Sequence, residues 1–490
     1  MKVISIIPIH LFLFLRCIHA IYLSKDDAPD ILIPAHQNFD EPVQLRLKWT
    51  PCNLGVQEFK KLEKNKAFEC SPLDVPLDYT DLSRGTTTLN LIKVKAPKQS
   101  KTDKSYKGSI IVNFGGPGVS GVETLLQMDP DRALSMFGGG YDIVSFDPRG
   151  TGETLVPPDD NGTLTQMVEE LIYTAQDSSY FLNKSEAITE LLISDGLNYI
   201  STFTESFLTK DEARRFRGTA FVARDVAEIA LQIGNRINYW GISYGTVVGQ
   251  VLAGMFPDRI ARMLLDGNLL ADDYVDNLGL DGTRDAEKAL YHFYDECMAA
   301  ANNSCHSANK LPKKRDDFRE VLNRVFMVCT GVGGGLGSVR SLALSGWVLG
   351  ALYSIDGYLW LDELIDTTLE GNRSMCSQSP GFGNSTTWNP LEDLAYRAIW
   401  CSDATFRAET PGEVFSLFQD DQAKDNPFFL SELLQASHGF TAHSSNCTRD
   451  IVAKYFVSDE LPPQEVTCEP DKSVFELIDE KRKQRFNSDA

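Results

Sequence analysis

The chain has 490 residues, with 68 acidic against 47 basic side chains and a formal net charge of −21. That charge excludes a nucleic-acid backbone as a natural partner, since phosphate would be repelled. With 42% hydrophobic residues the composition is ordinary for a globular protein and long enough for a large core.

In chain order, Lys2 ahead of the apolar residues 3–7 and 11–15, with Ile18-His19-Ala20 behind them, predicts a secretory leader over residues 1–20. Pro8, His10 and Arg16 break that run, so no membrane span is expected there or later. Residues 21–40 are polar. Residues 41–106 read as an N-terminal β-rich addition, in which Thr86-Thr87-Thr88-Leu89-Asn90-Leu91-Ile92-Lys93-Val94 has strand character. Ser109-Ile110-Ile111-Val112-Asn113-Phe114 is an apolar strand running into Gly115-Gly116-Pro117-Gly118-Val119-Ser120-Gly121, too glycine-rich for a helix or strand interior. A second strand, Tyr141-Asp142-Ile143-Val144-Ser145-Phe146, closes on Asp147-Pro148-Arg149-Gly150-Thr151-Gly152. A third, Ile237-Asn238-Tyr239-Trp240, enters Gly241-Ile242-Ser243-Tyr244-Gly245 and a helical stretch over 246–253. A serine at the apex of such a turn stands clear of the backbone, and flanking glycines let strand and helix approach. Residues 257–267 supply a further strand ending at Asp266.

This alternation of strands, glycine turns and helices predicts an α/β protein with a mainly parallel sheet, its core over 107–270. From 271 to 430 the spacing turns helical, as over 286–293 and 318–326, and predicts a cap inserted above the site. Residues 431–485 form a short C-terminal module. Asn161, Asn183, Asn302, Asn372, Asn384 and Asn446 begin N-x-S/T sequons and, with the leader, favour export and glycosylation. Loss of Cys17 with the leader leaves an odd number of cysteines. Cys52 with Cys70, Cys297 with Cys305, and Cys447 with Cys468 are plausible local bridges, whereas Cys329, Cys376 and Cys401 cannot all pair. No histidine or cysteine pattern points to a metal, and no cofactor is expected.

Taken together, Trp49-Thr50-Pro51-Cys52 with Glu69-Cys70, Val75-Pro76-Leu77-Asp78-Tyr79, Gly115-Gly116-Pro117-Gly118, Asp147-Pro148-Arg149-Gly150, Gly241 to Thr246 and Phe256-Pro257-Asp258-Arg259 resemble the α/β-hydrolase fold. More narrowly, they resemble the secreted tripeptidyl aminopeptidase and prolyl aminopeptidase group of serine peptidases. The stretch 395–403 and the tail, with Ser444-Ser445-Asn446-Cys447 and Thr467-Cys468, are similar to the same group. The resemblance implies Ser243 as nucleophile, His438 in Ala436-Ser437-His438-Gly439-Phe440 as base with His443 as the alternative, and an oxyanion hole from the N–H groups of Gly116 and Tyr244. It implies a secreted exopeptidase acting on peptides with a free N-terminus. The alternatives are a secreted carboxylesterase or a catalytically impaired scaffold.

The third triad member does not follow. The family's Asp-Pro-x-Thr-Pro acid loop is missing, as is its cysteine near a tryptophan, which implies a deleted segment before His438. Asp420, Asp421 and Asp425 lie in a polar run that reads as solvated loop. Asp266 is either the acid carried on an earlier strand or an aspartate closing a turn before Gly267.

Overall fold

The computed structural model describes residues 47–54, 65–97, 105–152, 154, 215–234, 236–276, 286–300, 304–330, 344, 347–378, 390–405, 445–463 and 466–488. The expected leader, four of the six sequons (Asn161, Asn183, Asn302, Asn384), His438, His443 and the run holding Asp420, Asp421 and Asp425 lie outside the described residues.

Among the described residues, six strands form one sheet: β1 (Phe68–Pro76), β2 (Thr86–Val94), β3 (Gly108–Asn113), β4 (Tyr141–Phe146), β5 (Ile237–Ile242) and β6 (Ile260–Asp266), in the spatial order β1-β2-β4-β3-β5-β6. β1 and β2, from the segment ahead of the core, pair antiparallel with each other, and β2 pairs antiparallel with β4. From β4 onward every pairing is parallel. Ile110, Ile111 and Val112 of β3 are all buried, because helices cover both faces of a parallel strand and leave no side for polar residues.

On one face lie α1 (Gly121–Gln127) and α2 (Pro130–Ser135); on the other lie α3 (Thr219–Ile233), α4 (Tyr244–Met255) and α5 (Ala271–Asp276). A second apolar core is built on α6 (Ala286–Ala299), α7 (Phe318–Thr330) and α8 (Ile355–Leu369), as the helical spacing predicts. α9 (Pro390–Asp403) returns to the sheet, burying Ile399 and Trp400 among residues of α3 and α4. α10 (Asn446–Ser458) packs on the face of α1 and α2, where Phe456 makes edge contacts with Phe137 and Tyr141. α11 (Val474–Ser488) crosses to the helical layer and inserts Val474, Phe475 and Ile478 into its core. Among the described residues, the chain thus enters the helical layer twice. Disulfides join the three expected pairs, and a fourth joins Cys329 to Cys376.

Two polar knots, one buried and one half-buried, fasten the elements on the α3 and α4 face of the sheet. Arg149 and Asp225 have fully buried side chains, and the guanidinium meets the carboxylate through Nε at 2.7 Å and Nη2 at 2.8 Å. Its remaining N–H groups reach the carbonyls of Pro76, Leu77 and Phe216, so all five donors are used. Tyr79 donates to the same carboxylate at 2.7 Å. Burial alone would lower the Arg149 pKa, but the Asp225 charge and hydrogen bonds outweigh it and raise it. Removing one partner strands a charge in the core, so Arg149→Met should cost about 3–5 kcal/mol, with much of it recovered by Arg149→Met/Asp225→Leu. Urea denaturation of the three proteins measures this.

The second knot is Asp403 at the end of α9. Its Oδ1 accepts from the Thr219 N–H and its Oδ2 from the Thr219 hydroxyl, both at 2.6 Å, while Tyr274 donates to Oδ2 at 3.1 Å. Burial pushes the Asp403 carboxyl up to about 6, despite the lowering effect of these bonds. Its folded pKa lies above the unfolded value near 3.9, so between about pH 4 and 6 only the folded state holds this proton. Stability contributed by this group is therefore present below pH 4 and lost as pH rises through 6, by about 3 kcal/mol. Denaturation at pH 4 and pH 7 should show that slope for the native chain and its loss in Asp403→Asn.

Candidate active site

β3 and β5 lie side by side, with Asn113 opposite Gly241, so the turns at their carboxyl ends are neighbours. After β5 the backbone reverses at Ser243, which adopts φ 59° and ψ −126° as the N-cap of α4. For a residue with a Cβ this left-handed backbone is strained. The surroundings fix it: the Ser243 N–H donates to the Asp266 carbonyl at 2.9 Å, and the Ser243 carbonyl accepts from the Thr246 N–H at 2.8 Å and its hydroxyl at 2.6 Å. A Cβ on Gly241 would collide with the Gly245 carbonyl, so the sharp crossing of strand and helix requires glycine there.

The glycine loop after β3 packs against this turn. Gly115 has φ +90°, and a Cβ on it would lie 2.9 Å from the Ser243 Cβ and 3.1 Å from the Tyr244 nitrogen. Gly116 follows with φ +100° and a cis peptide to Pro117. The loop is held at both ends. Asn113 Oδ1 accepts from the Gly115 N–H at 2.9 Å, and Asp147 Oδ1 accepts from the Ser120 hydroxyl at 2.6 Å and the Val122 N–H at 3.1 Å. Asp147 opens the DPRGTG motif, whose Arg149 forms the first buried knot.

Four of the residues named from sequence are thus brought together: Ser243, Tyr244, Gly115 and Gly116. As the first residue of α4, Tyr244 has a backbone N–H with no acceptor inside the helix. Its side chain is buried, and its hydroxyl lies 2.6 Å from the Thr219 hydroxyl. Asp266 ends β6 opposite Ile242 and is 9% exposed. Its Oδ2 accepts from the Trp240 indole N–H at 3.3 Å, so the carboxylate lies on the face shared by Trp240 and α10.

Sequence reading assigned no role to Thr219, Tyr274 or Asp403. Asp403 lies 184 residues from Thr219, a separation over which no local pattern carries a signal. Among the described residues, Cys297, Cys305 and Asp362 are grouped closely enough to suit a metal ion. The two sulfurs form a disulfide, however, and the carboxylate accepts from the His306 and Ser307 N–H groups at 3.0 and 2.8 Å.

The model of the alpha/beta hydrolase fold family matches residues 108–297, which include both glycine turns and Ser243. Serine protease Hip1 of Mycobacterium tuberculosis is 28% identical over 242 residues, 48% of this chain and 41% of its own length. The chain thus spans about two fifths of the length of that relative. Tripeptidyl aminopeptidase of Streptomyces lividans is 21% identical over 83% of this chain and 84% of its own. Carboxylesterase B of M. tuberculosis is 30% identical over 22% of this chain and 19% of its own. By its sheet order and its serine turn, the stretch matched by the family model has the alpha/beta hydrolase fold, and the chain is similar to proteins named as a serine protease and a tripeptidyl aminopeptidase.

Proposed function

We propose that the chain is a secreted serine hydrolase that releases short peptides or single residues from a free N-terminus through an acyl-enzyme. The observation that carries this reading is the strained Ser243 turn with the glycine loop packed against it. In the reaction the Ser243 hydroxyl oxygen bonds to the substrate carbonyl carbon while His438 takes its proton. The N–H groups of Gly116 and Tyr244 stabilise the oxyanion. Collapse breaks the C–N bond and returns the proton to the leaving amine, and water then cleaves the acyl-enzyme by the same steps.

The geometry supports Asp266 as the carboxylate that orients the base. It ends the strand beside the nucleophile's own, and its side chain faces the side on which α10 packs. The C-terminal turn of α10 is fixed at the amino edge of the sheet: the Phe456 carbonyl accepts from Tyr141 at 2.5 Å and the Val457 carbonyl from Lys107 at 2.8 Å. That polarity directs the start of α10, eight residues after His438, toward the carboxyl edge where Ser243 and Asp266 stand. The helical layer, with a core of its own, supports a restricted site suited to chain ends rather than folded proteins.

Similarity to a carboxylesterase favours one other reading, an esterase on the same scaffold. A fluorophosphonate probe should label the native chain and not Ser243→Ala; an unlabelled native chain would overturn the serine mechanism. Tripeptidyl and aminoacyl chromogenic amides should be cleaved, whereas turnover of acyl esters alone would establish the esterase. Asp266→Asn should lower kcat by about four orders of magnitude, as loss of a triad acid does with geometry kept. Full activity in that variant would remove Asp266 from the mechanism.

A further inference from the structure

Asp403 is the last residue of α9, and its half-buried carboxylate packs against the first turn of α3. Facing it are the Thr219 N–H and hydroxyl from α3 and the Tyr274 hydroxyl from α5, with the Tyr244 hydroxyl of α4 one step beyond Thr219. With Asp403 ionised, Oδ2 takes the Thr219 hydroxyl proton, so Tyr244 must be the donor to Thr219 Oγ1. Burial, and then the Asp403 charge, raise the Tyr244 and Tyr274 phenols well above their ordinary range and keep both as donors.

Tyr244 therefore has two attachments of different kinds. Its backbone stands next to Ser243 at the start of α4, and its side chain reaches, through the Thr219 hydroxyl, a carboxylate carried by α9. α9 is further anchored at this point, because Trp400 Nε1 donates to the Tyr274 carbonyl at 3.1 Å and the Thr405 N–H to the Val275 carbonyl at 2.8 Å.

We propose that Asp403 and Thr219 are positioning residues that hold the Tyr244 phenol, and through it keep the Tyr244 backbone N–H aimed at the developing oxyanion. The inference rests on the serine-hydrolase reading above and adds a dependence: the oxyanion donor is set by how α9 is seated. Neither residue touches the substrate. Their effect falls on the transition state, where the N–H bond to oxygen strengthens, and so on kcat rather than KM.

Loss of an oxyanion donor costs about 10²–10³ in kcat, and a donor left in place but misaimed should cost less, about tenfold. Thr219→Val and Tyr244→Phe are each expected to lower kcat by that amount on whichever chromogenic substrate the native chain cleaves, with KM within about twofold. The rate of fluorophosphonate labelling should fall in parallel. Thr219→Ser keeps the hydroxyl and should restore the native rate. The Thr219→Val/Tyr244→Phe double variant should be no slower than either single one, since both cut the same connection. If Thr219→Val lowers the thermal midpoint and leaves kcat and labelling unchanged, the residues only cap a helix and the proposal falls. Losses that multiply in the double variant would overturn it as well. A native chain that neither turns over substrate nor labels would overturn the serine-hydrolase reading and this inference with it.

Discussion

Ser243 keeps a left-handed backbone because everything around it has given up volume. Gly241 lets the strand meet the helix, Gly115 lets the neighbouring loop come within contact of Ser243 and Tyr244, and the Asp266 carbonyl takes the amide that the reversal leaves over. Strain of this sort costs about 1–3 kcal/mol and persists only where packing over-determines it. The remaining architecture supplies that packing. A parallel sheet buried on both faces fixes β3 against β5, and this register brings two turns from distant parts of the sequence to one place. Shifting that register by one residue would exchange the faces of every strand side chain and separate the loop from the serine.

Much of this was written in local pattern. Ile110-Ile111-Val112 and Ile143-Val144 announce buried strands, Gly115-Gly116 and Gly241 to Gly245 announce turns at their ends, and the order of these pieces announces the sheet. The serine turn was legible for the same reason, since its backbone geometry is encoded within five residues. Cysteine pairs close in sequence were legible too. The Cys329–Cys376 bridge, 47 residues apart, was not, because several partners were open to each thiol.

The long-range polar contacts stayed out of reach. Arg149 was visible as part of a motif, yet nothing near it names Asp225, 76 residues on, as the carboxylate it meets. Asp403 looked like one acidic residue among many at a helix end. Its character comes from what surrounds it: two hydroxyls, an amide and an apolar wall contributed by three other helices. Burial raises the electrostatic stakes of such groups, so they become decisive only once the chain has folded. The same physics explains why both knots sit at seams. One fastens the edge strands to α3, the other fastens α9 to the start of α3 and α4.

The course of the polypeptide after α10 has a consequence for biosynthesis. Phe475 and Ile478 complete the core of the helical layer, Ser304 donates to Asp479 at 2.5 Å, and Glu296 accepts the Val474 N–H at 3.0 Å. Residues 474–478 are therefore a missing wall for helices made nearly two hundred codons earlier. The six described strands are present long before that moment, whereas the layer above them must wait, its apolar interior open to chaperones. A premature stop before codon 474 would leave that layer without its wall, the kind of exposed surface that cellular quality control removes.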